Sequence, residues 1–415
     1  MSKERLNIVL MNLTVANSVS GVNRYMEILQ RNLKEIVYIT VHTVTLIEDK
    51  NMFFRQICKA GNSIEAVLPL PVNPYLIIKE EYWMNRYTEI IADIICPYFK
   101  GLRNLIWHTH CINLANLAVI LKKSLGGKII THLHCIPWKM NLENNIEKFN
   151  DLYYKFQKKE YGYLEDNFVE TVAYRISDHI ICVTFSGKDY LTMSRQIASS
   201  KISVVYNGIE DYTGDKIARN PLPTVPEILF VGQLNYSKGV KILLDALRKV
   251  YKAGYSFHAI LAGGRSSRIM TMIKHHYNYL PLSVPGRLSF GELQKKYQSC
   301  TIGVLPSLHE QCSYAAIEMA MYGIPLIVTD VDGLREMFQH DETALKVPVH
   351  FDKTIGLEVD ENVLAKTIVR LLSDRDLRER LSKNIREHYR NLFTARYMVS
   401  RTMEIYYNVI GNTNE

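Results

Sequence analysis

Two glutamates, eight residues apart, form the most specific arrangement of reactive side chains in this sequence. They lie in LPSLHEQCSYAAIEMAMYGIPLIVTDVDGLREM, residues 305–337, which reads as strand, loop, helix and strand. Glu310 falls in the loop after the strand and Glu318 inside the helix. The amides of Ser313, Tyr314 and Ala315 open that helix. Free N–H groups and the helix dipole together make a phosphate site there. A carboxylate just ahead of such a site can accept hydrogen bonds from the hydroxyls of a bound sugar.

Two other patterns carry metal-ligand chemistry in principle. His108-Thr109-His110 and His132-Leu133-His134 each put two imidazoles on one face of a strand. Imidazole suits zinc. No carboxylate or cysteine is spaced to complete either pair, so they read as strand-end histidines lining a cleft. Asp330-Val331-Asp332 has the D-x-D spacing of a metal-binding carboxylate pair. No metal ion and no other cofactor is expected.

The elements that must position these residues alternate along the whole chain. Leu6–Met11 is a buried-strand pattern, followed by helical spacing over Gly21–Leu33 and a β-rich run at Val37–Ile47. Tyr75–Ile95 has helical spacing. Asn104–His108 and Lys128–Leu133 are strands, with a helix at Asn113–Lys123 between them. A polar helical stretch covers Leu142–Arg175, and strands follow at His179–Val183 and Ile202–Val205. Residues 212–226 hold Gly214, Asn220, Pro221, Pro223 and Pro226, which is linker chemistry. The alternation then restarts: Ile228–Val231, a helix near Lys238–Ala253, His258–Ala262 and a helix near Ser266–Tyr279. After these come Thr301–Leu305, a helix at Ser313–Tyr322, Leu326–Thr329 and closing helices. Strands alternating with helices mean parallel α/β layers. The expected units are 1–211, a linker at 212–226, 227–392, and a terminal helix at 393–415. Ligands of such sheets bind beyond the carboxyl ends of the strands.

The bulk composition narrows the partners. The chain has 415 residues, 47% of them hydrophobic, enough for two buried cores. Its 50 Lys and Arg against 42 Asp and Glu give a net charge of +8, with no long basic run. Nucleic-acid binders concentrate their charge on a stripe or patch, so no nucleic acid is expected. A mild, spread excess fits phosphate ligands and a weak pull toward anionic lipid. The seven cysteines are odd in number and form no C-x-x-C pair, which favours a reducing compartment. The start, MSKERLNIVLMNL, lacks the long apolar core of a signal peptide. No apolar run reaches the roughly 20 residues of a spanning helix. The expectation is a cytoplasmic protein that can also sit peripherally on the cytoplasmic membrane face.

Segment 305–337 resembles the donor-site signature of family-4 retaining glycosyltransferases of GT-B fold, P-S-x-x-E followed by E-x-M/A-A-x-G-x-P. Pro306, Ser307, Glu310, Glu318, Ala320, Gly323 and Pro325 match it in order. LFVGQLNYSKG, residues 229–239, resembles the family's V-G-R-L-x-x-x-K-G, with Gly232 in place and Gln233 where the family usually has Arg. LAGG (261–264) and VPGRLSFGELQKKYQSC (284–300) resemble its glycine turn and its G-x-V-x-x-x-E-L-x-x-x-Y segment. Weaker matches in the first half are Ser20-Gly21-Val22, THLHCIP (131–137) and VVYNGI (204–209). FTARYMVSRTMEIY (393–406) resembles the closing helix that packs back on the first domain.

The resemblance implies two Rossmann-like domains facing each other across a cleft. It implies transfer of a sugar from a nucleotide-sugar donor to a glycan, lipid-linked or peptide acceptor with retained configuration, the chemistry of polysaccharide biosynthesis. Glu310 would contact the transferred sugar, and Glu318 the ribose. Lys238 would neutralise the diphosphate leaving group, and the backbone near Arg287 and Leu288 would read the base. Gly21 and Val22 would face the donor phosphate, and His134 would lie near the reacting centre. By the same resemblance Asp330-Val331-Asp332 falls on the loop after the donor helix, with Asp332 in place of a glycine, and reads as a loop feature. Gln233 donates a hydrogen bond but supplies no charge, so either the donor is held more weakly or another cation substitutes, with Arg265 and Arg287 as candidates. EQCSY replaces the common E-G-F-G-L. These two departures sustain a second reading, a catalytically weak GT-B subunit that binds glycan or protein and supports a partner.

Overall fold

The computed structural model describes residues 5–411 except 17, 19, 50, 52–54, 71–80, 137, 140–141, 143–144, 158–164, 215–220, 222 and 354–355. The first half runs β1 Leu6–Val15, α1 Gly21–Lys34, β2 Ile39–Glu48, β3 Gln56–Ala60, β4 Ser63–Pro69, α2 Glu81–Phe99 and β5 Leu105–Thr109. It continues with α3 Ala115–Leu125, β6 Lys128–Leu133, α4 Ile146–Gln157, α5 Glu165–Ile176, β7 His179–Cys182, α6 Phe185–Asp189 and β8 Ile202–Val204. The second half opens with β9 Glu227–Val231, α7 Val240–Lys252, β10 His258–Ala262, α8 Ser267–His276, β11 Leu282–Gly286, α9 Phe290–Ser299 and β12 Ile302–Leu305. It closes with α10 Tyr314–Met321, β13 Leu326–Thr329, α11 Asp332–Met337, β14 Leu345–Val347, β15 Val349–Asp352, β16 Gly356–Val359, α12 Glu361–Ser373, α13 Arg375–Leu392 and α14 Ala395–Gly411.

The chain divides into two compact units. One comprises Met1–His134, Lys159–Tyr206 and Ala395–Glu415; the other comprises Cys135–Lys158 and Asn207–Thr394. Residues 135–158 were expected in the first unit, yet they pack with the second. The Leu142–Arg175 stretch accordingly splits into α4, in the second unit, and α5, in the first. The middle of that stretch, the start of the Tyr75–Ile95 helix and most of the linker lie outside the described residues.

The first unit holds an eight-stranded sheet in the order β3-β4-β2-β1-β5-β6-β7-β8, parallel except for the β3–β4 pair. The second holds a six-stranded parallel sheet, β11-β10-β9-β12-β13-β14. Continuous apolar runs such as LNIVLM in β1 and IGVL in β12 are buried along their length, as strands covered on both faces must be. In the first sheet Trp107 of β5 points into a core with α2 and α3 that includes Phe99, Leu117 and Leu121. The neighbouring residues His108 and His110 take the opposite face, because strand side chains alternate.

Six strands, β3, β4, β11, β14, β15 and β16, were not expected. The β3–β4 hairpin turns on Gly61-Asn62, but β3 is an exposed edge with no apolar alternation to mark it. β11 contains Pro285 and Gly286, residues that read as loop, and an edge strand tolerates them.

His42 of β2 is fully buried and held on both sides. Its Nδ1 accepts from the Ile64 amide at 3.1 Å, so its Nε2–H donates to Asn7 Oδ1 at 3.2 Å. Burial lowers its pKa from 6.5 to about 4. The unfolded imidazole takes up a proton near 6.5 and the folded one only near 4, so the unfolded chain binds more protons in that window. The contribution is complete above pH 6.5 and is lost as pH falls toward 4. Between pH 7.5 and 5, urea unfolding of the wild type should lose about 2 kcal/mol more than His42→Gln. Equal losses would show that His42 does not carry this pH dependence.

Candidate active site

In the second sheet the strand order reverses between β9 and β12. The connections from β9 run outward through β10 to β11, and the chain then returns to place β12 on the other side of β9. The loops leaving β9 and β12 therefore diverge, and the crevice between them is where open α/β sheets bind ligands. Lys238 stands in the first loop and Glu310 in the second, and they meet. Lys238 Nζ is 2.5 Å from Glu310 Oε2, with both side chains largely buried. Ser307 Oγ donates to the same carboxylate oxygen at 3.4 Å.

Backbone contacts fix that meeting. Asn235 Oδ1 accepts from the Lys238 amide at 2.9 Å, and Leu308 N donates to Ser237 O at 2.8 Å. Gly239 has φ +68°, and a Cβ there would lie 1.9 Å from the Pro306 carbonyl oxygen. Only glycine lets the two loops approach this closely.

α10 begins just beyond Glu310. Ser313 caps it, its Oγ accepting from Ala316 N at 3.4 Å, and Tyr314 and Ala315 form its first turn. Glu318 lies a turn further on and is 5% exposed, and the Tyr297 hydroxyl of α9 donates to its Oε2. Tyr297 stacks in turn on Tyr322.

Gln233 and Arg287 share a cavity of about 660 Å³ at the carboxyl ends of β9, β10 and β11. Leu234, Asn235, Gly264, Arg265, Ser266, Pro285 and Gly286 complete its lining. Arg265 is held by Val284 O at 2.8 Å, and its guanidinium packs over Gly286. Arg265 and Arg287 therefore both bring positive charge to the cavity where Gln233 brings none. Gly232 follows β9 directly, its amide donating to Ala262 O at 3.0 Å. Leu288 is half-buried and does not line the cavity.

Asp332 is more than a loop feature. It starts α11 with φ +28° and is mostly buried. Lys139 Nζ is 2.7 Å from its Oδ1, and His309 Nδ1 donates to its Oδ2 at 2.8 Å. Burial alone would raise this carboxyl; the bonds from His309 and Lys139 overcome that and hold it below the usual range. Gly333 follows, donating to the Glu310 carbonyl at 3.0 Å, with no room for a Cβ against Gln311 O. The Asp332-Gly333 turn thus pins the main chain that carries Glu310. Asp330 faces different cations, Arg335 and Lys346, so the D-x-D pair does not converge on one point. The positioning role of Asp332 was not legible, since its partner Lys139 is 193 residues away.

The first sheet reverses between β1 and β5. Ser20 caps α1 after β1, its Oγ accepting from Asn23 N at 3.1 Å, and the exposed Gly21 and half-buried Val22 start that helix. β5 and β6 are parallel neighbours in register, Thr109 beside Thr131, so the two H-x-H pairs face each other. His110 Nδ1 lies 2.9 Å from His134 Nε2, and His132 Nδ1 lies 3.3 Å from His108 Nε2. His132 and His134 stack at 4.1 Å. Burial pushes His108 and His134 down to about 3, so both rings are neutral at physiological pH. His134 is the half-buried member at the strand end; the other three are buried.

Two family models cover most of the chain. The model for Glycosyltransferase Family 4 matches residues 19–211, and that for Glycosyl transferases group 1 matches residues 215–388. An uncharacterized glycosyltransferase of Methanocaldococcus jannaschii is 26% identical over 248 residues, 55% of this chain and 60% of that relative. Sucrose-phosphate synthase of Thermosynechococcus elongatus superposes with TM-score 0.72 at 20% identity, covering 99% of this chain and 100% of that one. The Anabaena protein HepE, in complex with UDP-glucose, superposes with TM-score 0.66 at 11% identity over 96% of this chain and 98% of that one. Two Rossmann-like units with these neighbours define the GT-B glycosyltransferase fold. The chain belongs to the glycosyl transferases group 1 family.

The contact between the Lys238 and Glu310 loops gives a stability test. Gly239→Ala should cost at least about 2 kcal/mol, combining the left-handed backbone penalty with the clash. Gly254→Ala, at φ +84° with nothing within 4 Å, carries the backbone penalty alone, about 1 kcal/mol. Denaturant unfolding of both variants measures the difference, and equal costs would mean that the loops can part without penalty.

Proposed function

We propose that the chain transfers a sugar from a nucleotide-sugar donor to a glycan, lipid-linked or peptide acceptor, with retention of configuration. The observation that carries this reading is the Lys238–Glu310 pair over the β9/β12 crevice, just ahead of the start of α10. An ammonium has three donors, so Lys238 can hold the Glu310 carboxylate and a phosphate oxygen together. The α10 amides add partial positive charge beside it. Negative charge grows on the diphosphate as the glycosidic bond breaks, and Lys238 and α10 stabilise that charge more than the ground state. The transfer step then draws its positive charge from the protein without a metal ion.

Glu310 accepts hydrogen bonds from hydroxyls of the transferred sugar and fixes its orientation. Glu318, held by Tyr297, faces the ribose, and the backbone at Arg287 and Leu288 meets the base. Gly21 and Val22 face the donor phosphate, and His134 is a neutral imidazole for the acceptor side. The acceptor oxygen forms its bond to the anomeric carbon on the face from which the diphosphate departs. The acceptor proton passes to the leaving phosphate oxygen, so no protein nucleophile is required. UDP-glucose in the HepE complex supports a uridine nucleotide-sugar as the first donor to test. Seven free cysteines and the lack, among the described residues, of any helix long and apolar enough to cross a membrane support work in the cytoplasm or on the cytoplasmic membrane face.

Lys238→Ala should lower turnover by about 100-fold or more, the scale of losing one transition-state donor. Glu310→Gln should cut turnover while nucleotide affinity and melting temperature hold. Turnover, nucleotide affinity and melting temperature measured together separate catalysis from folding. Unchanged turnover in Lys238→Ala, or parallel loss of all three quantities in Glu310→Gln, would overturn the assignment.

The cavity generates a separate expectation. Gln233→Arg places a third guanidinium beside Arg265 and Arg287. Affinity for nucleoside diphosphate should hold or rise in low salt, and the gain should shrink as salt screens it. Titration calorimetry at two ionic strengths reads this directly, and weaker binding in low salt would mean that the cavity does not take the diphosphate.

A further inference from the structure

The histidine face of the first sheet has a hydrogen-bond deficit. His110 Nδ1 meets His134 and His132 Nδ1 meets His108, but His110 Nε2 and His132 Nε2 are buried without a partner among the described residues. A neutral imidazole carries one N–H and one lone pair, so each bare nitrogen is an unmet donor or an unmet acceptor. Leaving such a group bare in the interior is unfavourable. With Nδ1 protonated on both rings, both bare Nε2 atoms present lone pairs. One ring nitrogen from each of His108, His110 and His132 lies within 4.8 Å of the others. Closing those separations to the roughly 3.4 Å of a tetrahedral zinc site brings one nitrogen of each ring onto one ion.

The surroundings match those of imidazole ligands. A metal-bound histidine usually gives its other ring N–H to a fixed partner, which sets its tautomer. His108 Nδ1 is 2.6 Å from the Tyr406 hydroxyl of α14, and His110 Nδ1 is 2.9 Å from His134. The 3.3 Å contact of His108 Nε2 with His132 is the long one of the set, and it is the one that would yield. Tyr25 stacks edge-on against His132 and His134 and closes the apolar side.

We propose that His108, His110 and His132 form a buried three-imidazole site for one divalent transition-metal ion of the zinc class. Tyr406 and His134 orient the ligands from behind, and the ion ties β5 to β6 and, through Tyr406, to α14. All-nitrogen donors suit zinc, cobalt, nickel and copper and do not suit magnesium or calcium. The site belongs to the first unit alone and stands whether or not the transfer reading holds.

The test uses the full chain after chelator treatment, with cobalt(II) as a spectroscopic probe and zinc(II) in calorimetric titration. Expected are one equivalent bound per chain, visible cobalt absorption of a low-coordinate nitrogen site, and a zinc-dependent rise in melting temperature. Tyr406→Phe should weaken zinc binding by about 10-fold or more, and His110→Asn/His132→Asn should abolish it. His275→Ala/His276→Ala, which removes an exposed adjacent pair, should change nothing. If the double ligand variant fails to fold, X-ray absorption of the wild-type cobalt form decides on its own, by showing three imidazoles. No stoichiometric binding, binding that survives the ligand variant, or a metal shell containing sulfur would overturn the proposal.

Discussion

A parallel sheet whose connections reverse direction once must open a crevice at the point of reversal. Neighbouring strands there send their carboxyl-terminal loops to opposite faces, and nothing in the sheet itself fills the space. Both sheets of this chain obey that constraint, at β1/β5 and at β9/β12. The residues singled out for chemistry gather around these two points. Ser20–Val22 and the histidines stand at the first, and Lys238 and Glu310 at the second. Positions so far apart in sequence come together because strand order dictates where loops can go.

Within the second crevice, charge is held by main chain more than by side-chain packing. Gly239 presses on Pro306 and Gly333 on Gln311, while Asp332 is clamped by Lys139 and His309. These contacts sit in the loops that carry Lys238 and Glu310. The ion pair is therefore preorganised, which is what electrostatic stabilisation of a leaving group needs. The neutral Gln233 does not unbalance the adjoining cavity, because Arg265 and Arg287 line the same wall.

Much of this was legible in the sequence, for identifiable reasons. β6, β10 and β13 fall within their expected bounds because continuous apolar runs flanked by polar loops have no competing reading. Glu310 and Lys238 were legible because each lies in a dense local motif. β3 was not, since its side chains face solvent, and β11 was not, since Pro285 and Gly286 imitate a loop. The histidine cluster needed the register between β5 and β6, which spacing along one strand cannot supply. The Asp332 clamp and the transfer of 135–158 to the second unit both depend on contacts nearly 200 residues apart.

The first unit closes with the last helix of the chain. Tyr406 reaches His108 across 298 residues, and α14 belongs to that unit although the whole second sheet is made in between. On the ribosome, the sheet from β1 to β8 is complete long before the helix that covers its histidine face emerges. At roughly 5–20 residues per second, the interval between Tyr206 and Ala395 lasts roughly 10–40 s. During that time the half-finished unit exposes a face that its mature form buries. A fragment ending at residue 206 would stay in that condition permanently. Truncation from the C-terminus therefore injures the oldest part of the nascent chain first, and nascent-chain protection by chaperones matters most for the N-terminal half.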